Sequence, residues 1–320
     1  MGARPPVPEG ALSIRVVGPE AAADVLDVVR AAFGARRPLD PPADAASETE
    51  ESIAAKLRPA GGLLATLDGQ AVGALLLDPT SEGTYLRRVG VRPDAQHGGI
   101  AHHLVRAALA EISRRAGADP EATPEVRILA REELPRTIRF WREMGFVETG
   151  RRAPYVEMAR PVPVVVDVPT ADDMHDLARR LATVLQPADV LVLTGELGAG
   201  KTTFTQGLGE GLGVRGPVTS PTFVIARVHP SLIDGPELVH VDAYRLGGVA
   251  ELDDLDLDAD LDRAVTVVEW GSDLAEGLSD ARLEIRIQRA TASVDATDDP
   301  RRVEIDPVGL RWLGVDLRSL

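Results

Sequence analysis

Gly195-Glu196-Leu197-Gly198-Ala199-Gly200-Lys201-Thr202 fills every fixed position of the pattern G-x-x-x-x-G-K-[ST]. Only two of the 35 cationic residues in the chain are lysine, Lys56 and Lys201. A chain that writes nearly all its cations as arginine keeps lysine here for a geometric reason. A compact ammonium on a flexible stem reaches between the β- and γ-phosphates of a nucleotide, where a planar guanidinium is too bulky. On the N-terminal side, Val190-Leu191-Val192-Leu193 is a short apolar run with the pattern of a buried parallel strand. On the C-terminal side, Phe204, Leu208 and Leu212 recur at helical spacing and Gly213 is a stop signal. The glycine-rich loop is therefore expected between a strand and a helix, its amides and the helix N-terminus facing phosphate.

Farther out, two apolar runs end in acids. Leu238-Val239-His240-Val241 leads into Asp242, and Val265-Thr266-Val267-Val268 leads into Glu269. Ligands of an open parallel sheet bind at the carboxyl ends of its strands, so three strand ends should converge, carrying the loop, Asp242 and Glu269. Mg²⁺ takes oxygen ligands, with one or two carboxylates beside substrate phosphates and water. The hydroxyl of Thr202 occupies the position that the motif assigns to this ion. The competing reading of the two acids is that of ordinary polar strand ends.

The 320 residues suggest two domains, and 44% apolar residues suffice for a core in each. The absence of cysteine excludes disulfides, thiolate metal sites and cysteine nucleophiles, and fits a cytoplasmic location. No apolar run approaches the roughly 18–20 residues of a membrane span, and residues 1–10 are too Pro-rich and polar for a signal peptide. Pro6 stands where a myristoylation signal needs Ser or Thr. The net charge of −15 is uneven: residues 1–160 carry −1 and residues 161–320 carry −14. So acidic a half is a poor candidate for gripping nucleic acid unaided.

The expected organisation is a flexible N-terminus over 1–11, a domain over 12–159, a Pro-containing linker over 160–163 and a second domain over 164–320. Pro161 and Pro163 favour a stiff, extended connection. Thr170-Ala171-Asp172-Asp173 has the form of a capping box, followed by the helical face Met174, Leu177, Ala178, Leu181 and Leu185. The acidic residues 251–260 lack the Gly and Glu of an EF-hand loop and are expected to be a solvated stretch, not a calcium site.

Four motifs in fixed order, GELGAGKTT from Gly195, SPTF from Ser220, HxDxYRL from His240 and Glu269-Trp270, resemble the TsaE family over about residues 165–310. These are bacterial P-loop ATPases needed to make threonylcarbamoyladenosine in tRNA. The resemblance implies a P-loop NTPase-like domain with a largely parallel sheet. It implies that Gly195, Glu196, Gly198, Ala199, Gly200, Lys201, Thr202 and Thr203 hold ATP, with Trp270 near the nucleotide. Thr202 and Glu269 would bind Mg²⁺, Asp242 would order the attacking water or the metal's surroundings, and Thr222 would lie in a loop that senses the γ-phosphate. Arg245 would stabilise phosphate charge, hold a partner or form a structural ion pair. Family members act beside TsaB and TsaD, so tRNA is met only through partners. A small-molecule kinase is the weaker alternative, since the SPTF and Glu-Trp motifs answer better to a switch ATPase.

In the first half, Leu63 to Leu67, then Asp68-Gly69, then Ala71 to Leu77 have the pattern of a hairpin. Tyr85 to Val91 follows as a strand that Pro93 ends. Gln96-His97-Gly98-Gly99-Ile100-Ala101 then opens a helix with Leu104, Val105, Ala108, Leu109 and Ile112 on one face. Strand, glycine loop and helix N-terminus together make an anion site of backbone amides. Residues 91–101, with Phe140-Trp141-Arg142-Glu143-Met144-Gly145-Phe146, resemble the GNAT acetyltransferases, a mixed α/β fold. The resemblance implies an acetyl-CoA site at Val89, Val91, Gln96, His97, Gly98, Gly99, Ile100 and Ala101. Trp141 stands where the family often has a tyrosine general acid, and indole cannot return a proton to a thiolate. Tyr155 or water is the substitute; Glu50, Glu51 and His97 are the candidate bases. His102 and His103 are expected to be surface or core residues. The alternative for this half is a non-catalytic acyl-CoA-binding or docking module.

Overall fold

The computed structural model describes residues 10–36, 40–41, 44–119, 124–221, 226–243, 262–270, 279–289 and 300–320. Thr222, Arg245 and the acidic stretch 251–260 lie outside them. The chain divides into two compact units with the boundary between Val162 and Pro163.

The N-terminal unit runs β1 (Leu12–Val17), α1 (Ala22–Gly34), α2 (Glu50–Leu57), β2 (Gly62–Leu67), β3 (Gln70–Thr80), β4 (Gly83–Val91), α3 (Ile100–Ala118), β5 (Glu125–Arg131), α4 (Pro135–Glu143), β6 (Val147–Arg152) and β7 (Tyr155–Pro161). The strands form one sheet in the order β1-β2-β3-β4-β5-β7-β6. Asp68 and Gly69 make the expected β2–β3 turn, both with positive φ (50° and 84°), as a tight hairpin turn demands. Alternation along the strands divides the core. Leu63, Ala65 and Leu75 face Leu104, Val105 and Ala108 of α3. Leu64, Ala74 and Leu76 face Val25 and Val29 of α1 and Ile53 and Leu57 of α2. Each such leucine, isoleucine or valine contributes about 1.5–3 kcal/mol by leaving water.

The parallel strands β4 and β5 pair only at Thr84 with Val126 and Tyr85 with Arg127. Beyond these pairs the strands diverge, and the carboxyl end of β4 leads through a 3-10 turn (Pro93–Gly98) into α3.

The expected linker over 160–163 needs correction. Arg160 and Pro161 are the last residues of β7, opposite Val126 and Glu125. Strand pairing overrides the prolines for a simple reason. The amide of Val162 points to β5, donating to Pro124 O, so the nitrogen of Pro161 points to the other side. There the ladder with β6 has already ended at Ala159, and a missing N–H costs nothing.

The C-terminal unit runs β8 (Val164–Val168), α5 (Ala171–Ala182), β9 (Val190–Thr194), α6 (Lys201–Gly211), β10 (Ala226–His229), β11 (Glu237–Asp242), β12 (Ala264–Glu269), β13 (Arg282–Arg289) and β14 (Arg301–Val308). Its sheet has the order β10-β11-β12-β9-β13-β14-β8. The four central strands β11, β12, β9 and β13 are mutually parallel, and antiparallel strands flank them. The capping box forms: Thr170 Oγ1 accepts from the Asp173 amide at 3.2 Å, and Asp173 Oδ2 accepts from the Thr170 amide at 3.0 Å. Met174, Leu177, Leu181, Phe204 and Leu208 of α5 and α6 bury Leu191, Leu193, Val267 and Ile285 of the sheet. The two helices approach closely at Gly207, where a Cβ would stand 2.6 Å from His175 O.

Candidate functional site: a phosphate loop beside two strand-end acids

The loop between β9 and α6 is shaped by glycine. Gly195 has φ 153°, and a Cβ there would run into the carbonyl of Ile287 on β13. Gly200, at φ 109°, is the N-cap of α6. The first amides of a helix have no partner within it, which leaves the start of α6 with donors for an anion. Ala199 is buried, whereas Glu196 is exposed and Leu197 is 85% exposed at the loop apex.

Lys201 is 5% exposed. Its Nζ donates to Gly195 O (2.9 Å) and Glu196 O (3.1 Å) and lies 3.8 Å from the ring centroid of Trp270. Trp270 follows β12 with φ 61°, its amide held by Leu193 O at 3.0 Å. Burial pulls the Lys201 ammonium below the usual lysine range, and the charges of Glu269 and Asp242 oppose that pull. The buried ammonium thus rests on two carbonyls and an aromatic face.

Parallel register sets the acids side by side. Asp242 pairs with Glu269, and Glu269 with Leu193 at the end of β9. Glu269 Oε1 accepts from Thr202 Oγ1 at 3.1 Å and contacts His240 Nε2 at 2.9 Å. Ser220, at the start of the SPTF segment, places its Oγ 3.4 Å from Asp242 Oδ2. Gln206 of α6 holds the chain two residues before that segment by donating to Val218 O at 3.1 Å. Thr203 lies half-buried in the first turn of α6. The donor set of Thr202 hydroxyl and Glu269 carboxylate is hard oxygen and fits Mg²⁺, which would complete its shell from phosphate and water.

Sequence reasoning missed three residues here. His240 was legible in principle, because it precedes Asp242 by two positions and so shares its sheet face. Arg301 opens β14; its Nε donates to Ala199 O at 2.9 Å and its Nη2 reaches Gly198 O at 3.4 Å. Arg289 ends β13 with its Nη2 3.4 Å from where a Gly198 Cβ would stand. Neither arginine has a local signal, since only the sheet order brings them to the loop.

In the N-terminal unit, Val91 is buried and Val89 half-buried at the end of β4. Gln96 turns its side-chain amide back onto Val91 O at 3.3 Å. Gly98 closes the 3-10 turn, Gly99 (φ 64°) caps α3, and Ile100 and Ala101 form its first turn. The side chain of His97 lies outside the described residues. The amides at the start of α3 fit a pyrophosphate.

Trp141 is buried in an edge-to-face chain, 5.1 Å from Phe140 and 5.0 Å from Phe146 between centroids. Tyr155 lies against Arg131, 5.5 Å from ring centroid to guanidinium. Glu50 and Glu51 are exposed in the first turn of α2. His102 and His103 are half-buried, His102 edge-on to Phe140 at 5.0 Å. Among the described residues of this unit, the buried carboxylate is Glu48, which sequence reasoning missed; it is held by Lys56, Ser52 and Arg88. Burial opposes its charge, but these donors prevail and hold the carboxyl below the usual carboxylate range.

Strand order and loop geometry define the class of the C-terminal unit: a P-loop NTPase-type domain. The family model described as threonylcarbamoyl adenosine biosynthesis protein TsaE matches residues 168–297. The TsaE protein of Streptomyces coelicolor is 60% identical over 148 residues, 46% of this chain and 99% of that protein. The TsaE protein of Mycobacterium tuberculosis is 48% identical over 133 residues, 39% of this chain and 79% of that protein. The chain belongs to the TsaE family. The acetyltransferase (GNAT) domain model matches residues 59–148, so the chain joins a GNAT-type domain to a TsaE domain. Among solved structures, Bacillus subtilis YdiB is similar at 34% identity and TM-score 0.39, over 48% of this chain and 90% of that one. The PaiA N-acetyltransferase of Thermoplasma acidophilum, in complex with coenzyme A, is similar at 15% identity and TM-score 0.41, over 47% of this chain and 99% of that one.

Proposed function

We propose that the C-terminal unit is a Mg²⁺-dependent ATPase of threonylcarbamoyladenosine biosynthesis, and that the N-terminal unit binds acetyl-CoA. The observation that carries the first part is the buried Lys201 cation beside the Thr202–Glu269 contact. In this reading Gly195, Glu196, Gly198, Ala199, Gly200, Lys201, Thr202 and Thr203 cradle the phosphates, and Trp270 borders them. Thr202 and Glu269 hold Mg²⁺, which when bound neutralises phosphate charge. Asp242 orients the attacking water, and Thr222 senses the γ-phosphate as the family resemblance implies. Membership of the TsaE family supports action beside TsaB- and TsaD-like partners in the cytoplasm, with tRNA contacted through them. Hydrolysis by the chain alone is then slow, because P-loop enzymes gain about 10³-fold or more from a charge supplied in trans.

Release of phosphate from ATP, with and without Mg²⁺, tests this reading. Lys201→Ala is expected to lower it at least about 100-fold, the scale of a lost transition-state donor. Glu269→Ala is expected to weaken its Mg²⁺ dependence in a chain that still folds. Near-normal hydrolysis by Lys201→Ala would remove the loop from the mechanism. Transfer to a small-molecule acceptor, without release into water, would favour a kinase.

For the N-terminal unit, the start of α3 supports a coenzyme cradle around Val89, Val91, Gln96, His97, Gly98, Gly99, Ile100 and Ala101. Burial of Trp141 leaves Tyr155 or water as proton donor. Calorimetric titration of acetyl-CoA tests the cradle; no binding would leave this unit as a docking module.

A further inference from the structure

His240 lies in the centre of β11 and is 0% exposed. On that sheet face Leu238 and Asp242 flank it along β11, Val267 stands opposite it on β12 and Arg227 opposite it on β10. The ring makes one polar contact among those described, from Nε2 to Glu269 Oε1 at 2.9 Å. Nδ1 is buried with no hydrogen-bond partner among the described residues. An ionised carboxylate only accepts hydrogen bonds, so Nε2 facing one carries a hydrogen. An apolar residue would fill this place without burying an unpaired nitrogen. What histidine adds is the bond to Glu269.

The same Glu269 oxygen also accepts from Thr202 Oγ1 at 3.1 Å. A hydroxyl can offer a lone pair to a cation while its hydrogen stays on a carboxylate, which has several acceptor positions, so the Thr202 bond could persist were the pair to hold one. The imidazole N–H has no lone pair to offer a cation and would serve the carboxylate alone. Carboxylates that hold metals depend on hydrogen bonds of this kind for their orientation.

We propose that His240 is a positioning residue that fixes the Glu269 carboxylate for a divalent cation, through Nε2–H. The role rests on the reading of Glu269 as a cation ligand. It applies to cation retention and not to nucleotide binding, since His240 lies on β11 and the phosphate loop follows β9.

The test is Mn²⁺ binding to the full chain with a non-hydrolysable ATP analogue, followed by electron paramagnetic resonance. Nucleotide affinity in EDTA and melting temperature are read beside it. His240→Asn, whose amide stops short of Glu269, is expected to weaken Mn²⁺ retention by about 10-fold or more. Its affinity for metal-free nucleotide should stay within about twofold of wild type, as expected for a group acting only on the metal's surroundings. His240→Gln, whose amide nitrogen reaches the carboxylate, is expected to recover most of the loss. Unchanged Mn²⁺ retention in a folded His240→Asn chain would overturn the role alone. So would a parallel loss of metal and metal-free nucleotide, the mark of a structural defect. A wild-type complex that held Mn²⁺ no better than free nucleotide would overturn both the role and the reading it rests on. Should His240→Asn not fold, ¹⁵N-histidine spectra of the wild type decide. Nε2–H retained on adding Mg²⁺ and nucleotide supports the anchor; an Nε2 of His240 without hydrogen overturns it.

Discussion

At the scale of single residues, Lys201 carries two opposite pH effects. Burial lowers its pKa, which favours the neutral amine in the folded chain. The folded state therefore binds fewer protons than the unfolded one between the lowered value and the usual lysine value, and folding stability rises with pH across that window. Nucleotide affinity runs the other way, because phosphate needs the ammonium. Affinity is expected to fall with rising pH at a point below the usual lysine range, and Lys201→Met is expected to be weak and flat there. Fluorescent-nucleotide titrations from neutral to alkaline pH check both. Glu48 has the other sign. Its carboxyl is held below the usual range, so its contribution is present above the unfolded carboxylate value and lost as pH falls through the folded one. Glu48→Gln is expected to cost about 2 kcal/mol at neutral pH, the scale of hydrogen bonds to a charged group. The difference should shrink in acid, read from urea unfolding at two pH values.

At the scale of elements, the phosphate loop is held from a distant strand. Arg301 draws the carbonyl of Ala199 outward. In a trans peptide the following N–H points the opposite way, so the amide of Gly200 faces away from Arg301. Arg301→Ala is expected to weaken nucleotide binding by about 10-fold, the equivalent of one modest hydrogen bond, with Arg301→Lys recovering part of it. Equal affinities by calorimetry would show that the loop keeps its shape unaided. Helix α5, against which α6 packs, starts at the capping box of Thr170 and Asp173. Thr170→Ala is expected to cost about 1 kcal/mol of stability, visible in thermal unfolding, without changing nucleotide affinity.

At the scale of the whole molecule, each unit has its own core. Among the described residues, two clusters of buried side chains lie wholly within residues 163–320 and two within residues 2–162. Residues 163–320 alone are expected to fold in one cooperative transition and bind ATP, and residues 1–162 to bind acetyl-CoA. Aggregation of either piece would mean that its core needs the other. No described helix is long and apolar enough to cross a membrane.

What could be read from the chain as written was local. The phosphate loop, the Asp68-Gly69 turn, the capping box at Thr170 and the acids ending β11 and β12 each depend on residues a few positions apart, where backbone geometry and periodicity decide the outcome. Tertiary structure alone decided the rest. Strand order gave Lys201 its aromatic cover, set Arg301 on the loop 102 residues before it and joined His240 to Glu269 across 29 residues. Helix packing turned Trp141 into a core residue, and the ladder with β5 absorbed Pro161 into β7. These contacts depend on which strands lie side by side and which faces meet, and no short-range pattern encodes that choice.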